Sequence, residues 1–246
     1  MLAVSEYFYS VQGEGQTCGV PAVFIRLGGC NLLCGGKDTI KDGKLHDSAT
    51  WRCDSLQVWR KSKKYKPEDF VKLLIKEGYI EKLDEGAHLV VTGGEPFLQK
   101  EELYTFFEEL VWNCDRAPYV EMETNGTLWE PTMLEYVHLF NVSPKLKNSG
   151  VPREKRIVQN VLQSFSERSE TCWKFVVENL SDVEEAQNEF IRPLSLRPQQ
   201  IWLMPAAESR EEYRSKIEDV VELAKDTGYR FSPRLQIEVW DKATGV

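Results

Sequence analysis

The sequence lacks the features of several special classes of protein. No apolar run among its 246 residues approaches the roughly 18 residues that a membrane-spanning helix needs. The start of the chain, MLAVSEYFYS, has neither the basic segment nor the continuous apolar stretch of a secretory signal peptide, so we predict a cytoplasmic protein. Positive charge is comparatively scarce, because 31 Lys and Arg stand against 39 Asp and Glu and the net charge is −8. This balance argues against a protein whose main task is to bind nucleic acid.

The composition and the order of predicted elements indicate one globular α/β domain. Hydrophobic residues make up 41% and charged residues 28% of the chain, and no linker divides it, so residues 1–246 are predicted to form a single domain. Buried strands are predicted at residues 22–29, 88–94, 119–124, 138–143, 172–177 and 201–204, and an extended segment at 234–240 closes the pattern. Apolar faces predict helices at residues 67–78, 100–113, 157–165, 183–191 and 213–224, with a short one near 133–137.

Six βα units in succession predict parallel strands that are joined by right-handed crossovers. A closed TIM barrel would need about eight such units, so the six units fit either a partial barrel or an open doubly wound sheet. In both folds the chemistry lies at the C-terminal ends of the strands. Motifs that directly follow a predicted strand are therefore the candidates for a functional site.

Three of the six cysteines follow the first predicted strand. Three residues separate Cys30 from Cys34, and eighteen more separate Cys34 from Cys53. Three thiolates on one loop can hold an iron–sulfur cluster and leave one iron without a protein ligand. A zinc site with His46 as the fourth ligand, or three unrelated core cysteines, would give the same spacing. The scattered cysteines are predicted to be small core residues: Cys18, Cys114 and Cys172.

Polar turns follow several of the predicted strands, at residues 92–96 (TGGEP), 123–127 (ETNGT), 142–145 (VSPK) and 232–235 (SPRL). The glycines of TGGEP let a ligand approach the backbone, and Glu95 offers a carboxylate to an amine. The stretch YSVQGEG at residues 9–15 adds further polar groups. Arg26 on the first strand offers two parallel hydrogen bonds to a carboxylate, although for this residue taken alone a surface ion pair is the more ordinary role. Each turn alone is unremarkable, but together, beside the cysteine loop, they predict a binding site.

These motifs together resemble a known enzyme superfamily. A three-cysteine loop after the first strand and a GGEP turn after the second are similar to radical S-adenosylmethionine enzymes. More narrowly, FYSVQGEG, VFIRLGGCNLLC, CDS, TGGEP, ETNGT, VSPK and SPRL resemble the 7-carboxy-7-deazaguanine synthases, from Tyr7 to about Trp240. The resemblance implies a partial (β6/α6-like) TIM barrel of parallel strands with outer helices. It also implies a carbon–nitrogen lyase that converts 6-carboxy-5,6,7,8-tetrahydropterin to 7-carboxy-7-deazaguanine and ammonia, in the biosynthesis of 7-deazapurines such as queuosine.

The resemblance implies a [4Fe–4S] cluster on Cys30, Cys34 and Cys53. In the commoner compact loop the third cysteine is separated from the second by two residues and begins a CDT tripeptide, but here Lys37 occupies that place. The tripeptide Cys53-Asp54-Ser55 therefore takes the role, and residues 36–50 are an inserted excursion, which costs little because loop-closure entropy grows slowly with length. The last residue of the tripeptide binds Mg²⁺ in the family. Ser55 is thus the expected magnesium ligand, with Thr39 as its competitor.

Further contacts follow from the same resemblance, and none of the side chains is implied to act as an acid or base. The residues implied to bind S-adenosylmethionine are Arg52, Cys53, Asp54, Gly94, Ser143, Pro144 and Lys145 and, more loosely, Met204, Pro205, Ala206 and Ala207. The residues implied to bind the pterin substrate are Val11, Gln12, Gly13, Arg26, Thr92 and the terminal carboxylate of Val246. The implied partners are a flavodoxin- or ferredoxin-type electron donor and a second copy of the chain in a homodimer.

Three alternative functions share some of these features. A radical enzyme that activates a glycyl-radical partner would share the cysteine loop and GGEP, but nothing in that class requires YSVQGEG. A non-catalytic zinc-binding module would explain the cysteines alone. An enzyme acting directly on RNA would be expected to carry a basic stripe with interleaved aromatic residues, which we do not expect in a chain of net charge −8.

Overall fold

The strands form one continuous sheet. In the computed structural model, which describes residues 1–246, the strands are β1 Leu2–Val11, β2 Pro21–Leu27, β3 Lys63–Tyr65, β4 His88–Gly93, β5 Val120–Thr124, β6 Val137–Val142, β7 Thr171–Val177, β8 Ile201–Pro205 and β9 Arg230–Phe231. Their order across the sheet is β3-β1-β2-β4-β5-β6-β7-β8-β9. Every neighbouring pair from β2 to β9 is parallel, whereas β1 pairs antiparallel with both β2 and β3.

The six predicted strands are confirmed as β2 and β4 to β8, within two residues at each end. Strand β1 was not predicted, because residues 9–15 were interpreted as a polar approach to the site. The extended segment predicted at 234–240 is wrong, since Leu235–Trp240 is a helix and the last strand is the short β9. A short apolar run fits either structure, and here tertiary contacts decide. The side chain of Arg210 donates to the carbonyl of Glu238 at 2.7 Å, which ties the helical turn to the preceding long helix.

Helices cover the outer face of the sheet. They are α1 Thr39–Asp42, α2 Leu56–Trp59, α3 Pro67–Lys76, α4 Tyr79–Asp84, α5 Lys100–Asn113, α6 Arg153–Arg156, α7 Gln159–Ser166, α8 Leu180–Ala186, α9 Arg210–Thr227 and α10 Leu235–Trp240. The predicted helix at 157–165 begins two residues later, because Ile157 and Val158 are extended. The predicted helix at 183–191 starts earlier, as α8, and continues as a π-helical turn over Gln187–Ile191. The short helix near 133–137 is a 3₁₀ turn, Pro131–Glu135, that ends before β6.

The two faces of the sheet have different roles. Along β2, Val23, Ile25 and Leu27 pack into the main core of 39 buried residues, whereas Phe24 and Arg26 lie on the opposite face and line a cavity. This alternation follows from the two-residue period of a strand. Side chains from β1, β2 and β4 to β8 line the same cavity, so the sheet must curl around it. The fold is therefore an open, partial barrel with outer helices, and the predicted fold class is confirmed.

One edge of the sheet is basic. Residues 60–66, which include β3, carry five cationic side chains, all exposed. None of the five forms an ion pair. The chain therefore does carry a short basic stripe, which was not expected. It lacks the interleaved aromatic residues of an RNA-binding surface, because Tyr65 is the one aromatic residue in this run. Lysines on a short edge strand discourage pairing with the edge of another sheet. None of the helices combines the length and the apolar character that crossing a membrane would require.

Candidate active site

The inner face of the sheet lines one cavity at the C-terminal ends of the parallel strands. The cavity has a volume of about 380 Å³. Its wall includes the cysteine loop, the turns after β4, β5 and β6, and residues 241–246 at the end of the chain. Functional groups of parallel α/β folds are expected at this end of the strands. The polar turns of the sequence are thus brought together around one space.

The three cysteines of the first loop lie together in the wall of this cavity. Cys30 and Cys53 pack against a small cluster that contains Cys34 and is separate from the main core. Burial raises the pKa of Cys30 to about 11 and that of Cys34 to about 12, so both thiols are neutral at pH 7 until a metal displaces the proton. A Cβ on Gly94 would overlap the carbonyl of Gly29 and lie 2.8 Å from the Cβ of Cys30. Glycine therefore permits the turn after β4 to meet the cysteine loop.

The inserted excursion folds back on itself and returns the chain to the cavity. The amides of Gly35 and Thr50 each donate to a carbonyl in residues 147–149, at 2.9 Å. Both ends of the excursion are thereby held at one turn. The amide of Cys53 consequently lies 3.5 Å from the carbonyl oxygen of Cys34, although eighteen residues separate them in sequence.

The two competing metal-ligand assignments occupy different environments. Cys53 and Ser55 line the cavity, and the hydroxyl of Ser55 lies 3.4 Å from the Cys53 sulfur. Lys37 and Thr39 do not line it. Thr39 is instead buried within the excursion, where its hydroxyl has no hydrogen-bond partner. The geometry therefore favours the downstream tripeptide over Lys37-Asp38-Thr39 as the part of the loop that faces a ligand.

Most of the residues implied to bind S-adenosylmethionine line the cavity. They are Arg52, Cys53, Asp54, Gly94, Ser143, Lys145, Met204, Ala206 and Ala207. The structure does not bring Pro144 and Pro205 to the cavity. Pro205 ends β8, where it alternates with Met204 and so points to the other face. Arg52 forms an ion pair with Glu208, with 2.7 Å between Nη2 and Oε2. Nζ of Lys145 donates to the hydroxyl oxygen of Ser143 at 3.0 Å.

All of the residues implied to bind substrate line the cavity: Val11, Gln12, Gly13, Arg26, Thr92 and Val246. The tail does fold inward, because residues 241–246 form part of the wall. Arg26 is partly buried, and its Nε lies 2.7 Å from Oε1 of Glu6. Its guanidinium is therefore neither without a partner nor part of a fully exposed ion pair. The side-chain amide nitrogen of Gln12 is buried without a partner, which leaves a donor for a ligand.

The sequence analysis assigned no role to seven charged residues that line the cavity. Four of them form one network, Glu14, Glu123, Lys174 and Arg234, and the other three are Glu208, Asp241 and Lys242. Lys174 lies 2.9 Å from Glu14 and 3.4 Å from Glu123, and Arg234 lies 3.2 Å from Glu14. Burial would raise the pKa of Glu14, but Lys174 and Arg234 outweigh it and hold the pKa at about 2. A lysine inside the apolar strand CWKFVV was the available signal, and Glu14 and Arg234 lie within motifs already singled out.

The role expected for Glu95 is wrong. Its carboxylate is fully buried and does not line the cavity. It accepts hydrogen bonds at 2.8 Å from the Thr124 hydroxyl and from the amide of Asn125. Burial raises the pKa of Glu95 to about 7. Glu95 therefore joins the turn after β4 to the turn after β5 and does not offer its oxygens to a ligand amine.

Comparison with known proteins identifies the family. No family model matches the chain. The chain is 34% identical to the 7-carboxy-7-deazaguanine synthase of Pyrobaculum aerophilum, over 98% of this chain and 96% of the relative. It is 30% identical to the synthase of Halobacterium salinarum, over 98% and 91%. The chain belongs to the 7-carboxy-7-deazaguanine synthase family.

A solved structure agrees with this family assignment. The crystal structure of QueE from Escherichia coli is similar with a TM-score of 0.59 and 28% identity, over 94% of this chain and 92% of that one. The resemblance drawn from the motifs is thus confirmed over nearly the whole chain. The glycyl-radical activating enzyme and the zinc module find no support among these relatives.

The donor set of this synthase-family cavity fits an iron–sulfur cluster better than a single metal ion. No three His, Cys, Asp or Glu side chains converge closely enough to hold one ion. His46, the fourth ligand considered for zinc, lies 3.0 Å from Asp42 on the exposed excursion. In a cluster each cysteine binds a different iron, so three separate thiols facing one space are a suitable set.

Proposed function

We propose that this chain converts 6-carboxy-5,6,7,8-tetrahydropterin to 7-carboxy-7-deazaguanine and ammonia, with a [4Fe–4S] cluster, S-adenosylmethionine and Mg²⁺. The single observation that supports this most strongly is the meeting of the three-cysteine loop with the QGE segment after β1 and the turn after β5 around one cavity, in a chain matched over almost its full length by synthases. Both halves of the reaction, cofactor and substrate, would thus share one space.

Cys30, Cys34 and Cys53 would hold the cluster, and Arg52, Ser143 and Lys145 would contact the S-adenosylmethionine bound to it. When bound, that cofactor pair would supply the radical chemistry that the removal of hydrogen from C6 of the pterin requires. The residues of the chain have the task of orienting the two ligands and excluding water. The hydrogen bonds that already hold Arg52 and Lys145 to Glu208 and Ser143 limit the movement of their charged ends.

Other residues of the cavity wall suit a flat, polar, carboxylated ring. Phe8 and Phe24 line the cavity, and their rings stack with centroids 5.1 Å apart. The pair presents an apolar surface to a ring. The carboxylates of Glu14 and Glu123 can accept from the amino and ring N–H groups of a pterin. Arg26 offers positive charge to its carboxylate. These contacts would fix the position of the reacting carbon relative to the cofactor.

Ser55 is the proposed magnesium ligand. Mg²⁺ prefers oxygen ligands, and the Ser55 hydroxyl faces the cavity while that of Thr39 does not. The ion would neutralise the substrate carboxylate. We expect Ser55→Ala to weaken the dependence of activity on Mg²⁺ and Thr39→Ala to leave that dependence unchanged. The one-electron donor of flavodoxin or ferredoxin type, the homodimer and the cytoplasmic location stay predictions.

The function is tested with anaerobically reconstituted protein, dithionite, S-adenosylmethionine, Mg²⁺ and carboxytetrahydropterin, with the product followed by ultraviolet absorbance and mass. We expect product from the native chain and from Lys37→Ala, and none from Cys53→Ala. Cys114→Ala, a scattered cysteine outside the cavity, is the matched control and should retain activity and iron. Cleavage of S-adenosylmethionine without product would contradict the substrate. A protein that binds zinc and no iron would contradict the whole proposal.

A further inference from the structure

Arg234 contacts three separate segments of the cavity wall with one side chain. Its side chain is 7% exposed. The guanidinium donates to the carboxylate of Glu14 at 3.2 Å, to the carboxylate of Asp54, and to the carbonyl oxygen of Ala207. These partners stand 220, 180 and 27 residues away in sequence. One residue of the SPRL motif thus joins distant parts of the wall.

The three segments have different assignments in the proposed function. Glu14 belongs to the QGE segment beside the substrate residues, Asp54 lies between Cys53 and Ser55, and Ala207 follows β8 on the cofactor side. An ion pair between Arg52 and Glu208 joins the second and third segments. Among the side chains of the wall, Arg234 alone donates hydrogen bonds to all three.

The position of the guanidinium is fixed by the backbone that carries it. The amide of Leu235 donates to the carbonyl of Gly13 at 3.0 Å, and the carbonyl of Arg234 accepts from the amides of Ile237 at 3.0 Å and Glu238 at 3.1 Å. The amide of Arg234 donates to the hydroxyl of Tyr213 at 3.3 Å. The planar group is therefore presented at a defined place, between β9 and α10.

From this geometry we propose that Arg234 is a positioning residue. It fixes the relative positions of the substrate segment, the metal-ligand tripeptide and the cofactor segment. This inference rests on the proposed function for the naming of the segments. An arginine suits the role because its fixed fork can donate in three directions at once, whereas a lysine concentrates its charge at one atom. Arg234→Lys should therefore keep the positive charge but no longer hold the three segments in fixed relative positions.

The first arm of the test measures how firmly the three segments are held, without any need for catalysis. Amide hydrogen exchange is followed by mass spectrometry in the cluster-loaded protein, for residues 12–16, 52–56 and 204–208. We expect Arg234→Lys and Arg234→Gln to raise exchange in all three segments by about tenfold or more, because their shared restraint is lost. The matched control is Arg214→Lys, since Arg214 pairs with Glu238 of α10 but does not line the cavity.

The second arm measures steady-state kinetics and coupling. We expect Arg234→Lys to raise KM for S-adenosylmethionine and for the pterin together by about tenfold, and to raise the ratio of S-adenosylmethionine cleaved to product formed. Faster exchange in one segment only, or unchanged KM values with a lower melting temperature, would show that Arg234 merely packs the fold and would overturn the proposal. If the native chain forms no product, the proposed function fails, while the exchange arm still decides the role of Arg234.

Discussion

Replacing Glu14 by glutamine should cost a large part of the stability of the fold. Lys174 and Arg234 hold the pKa of Glu14 at about 2, against an ordinary value of 4.5. Because each pKa unit corresponds to about 1.4 kcal/mol, the charged form stabilises the folded state by about 3 kcal/mol at pH 7. Glutamine keeps the shape of the side chain but removes the charge, and it leaves two buried cations with less compensation. Breaking one partner out of a buried ionic network has a similar cost, about 3–5 kcal/mol.

The pH dependence separates charge from packing in this prediction. A carboxyl group with a lowered pKa in the folded state contributes stability that is complete above pH 4.5 and disappears as the pH falls toward 2. Urea unfolding of both proteins at pH 7 and pH 3 should therefore give a difference at pH 3 that is about half of that at pH 7 or less. Glu238→Gln, which removes an exposed carboxylate paired with Arg214, is the control and should change stability little. An equal loss at both pH values would refute the electrostatic reasoning.

Three further changes test other parts of the structure. Gly94→Ala should lower stability by about 2–4 kcal/mol and reduce iron per chain, because its Cβ overlaps the carbonyl of Gly29 beside Cys30; melting temperature and iron content check this. Phe165→Ala should cost about 3–5 kcal/mol by urea unfolding, since this fully buried ring packs against three other aromatic rings. Removal of Val246 should raise KM for the pterin several-fold, about threefold to tenfold, with KM for S-adenosylmethionine unchanged, because the tail forms one side of the cavity wall.

Regular elements were predictable where the apolar pattern is long or fully buried. The helix predicted at 100–113 is observed over the same residues, because Leu103, Phe106, Phe107 and Leu110 repeat on one face and are buried. Strand β7 is buried at every position and reads as a continuous apolar run apart from Lys174 and Thr171. The error at residues 234–240 arose because seven residues are too few for a period to distinguish helix from strand.

The candidate site was predictable in its residue types and not in its pairings. Cysteine, glycine and the QGE segment indicate chemistry wherever they lie, so their motifs could be found one by one. The interaction of Lys174 with Glu14 joins residues 160 apart, and that of Arg234 with Glu14 joins residues 220 apart. Neither pairing leaves a local pattern. Glu95 shows that a motif can also mislead. Its carboxylate lies in a turn that indicates a binding site, but it accepts hydrogen bonds from Thr124 and Asn125 within the protein.

The amino-acid sequence by itself determined the six parallel βα units, the family and the three cysteines, because periodicity and residue chemistry are local properties of the chain. Only the tertiary structure decided that the excursion returns Cys53 to Cys34, that Ser55 and not Thr39 faces the cavity, and that Arg234 joins three segments of the wall. These outcomes depend on how the curled sheet brings distant strand ends together, and on which buried charges find partners there.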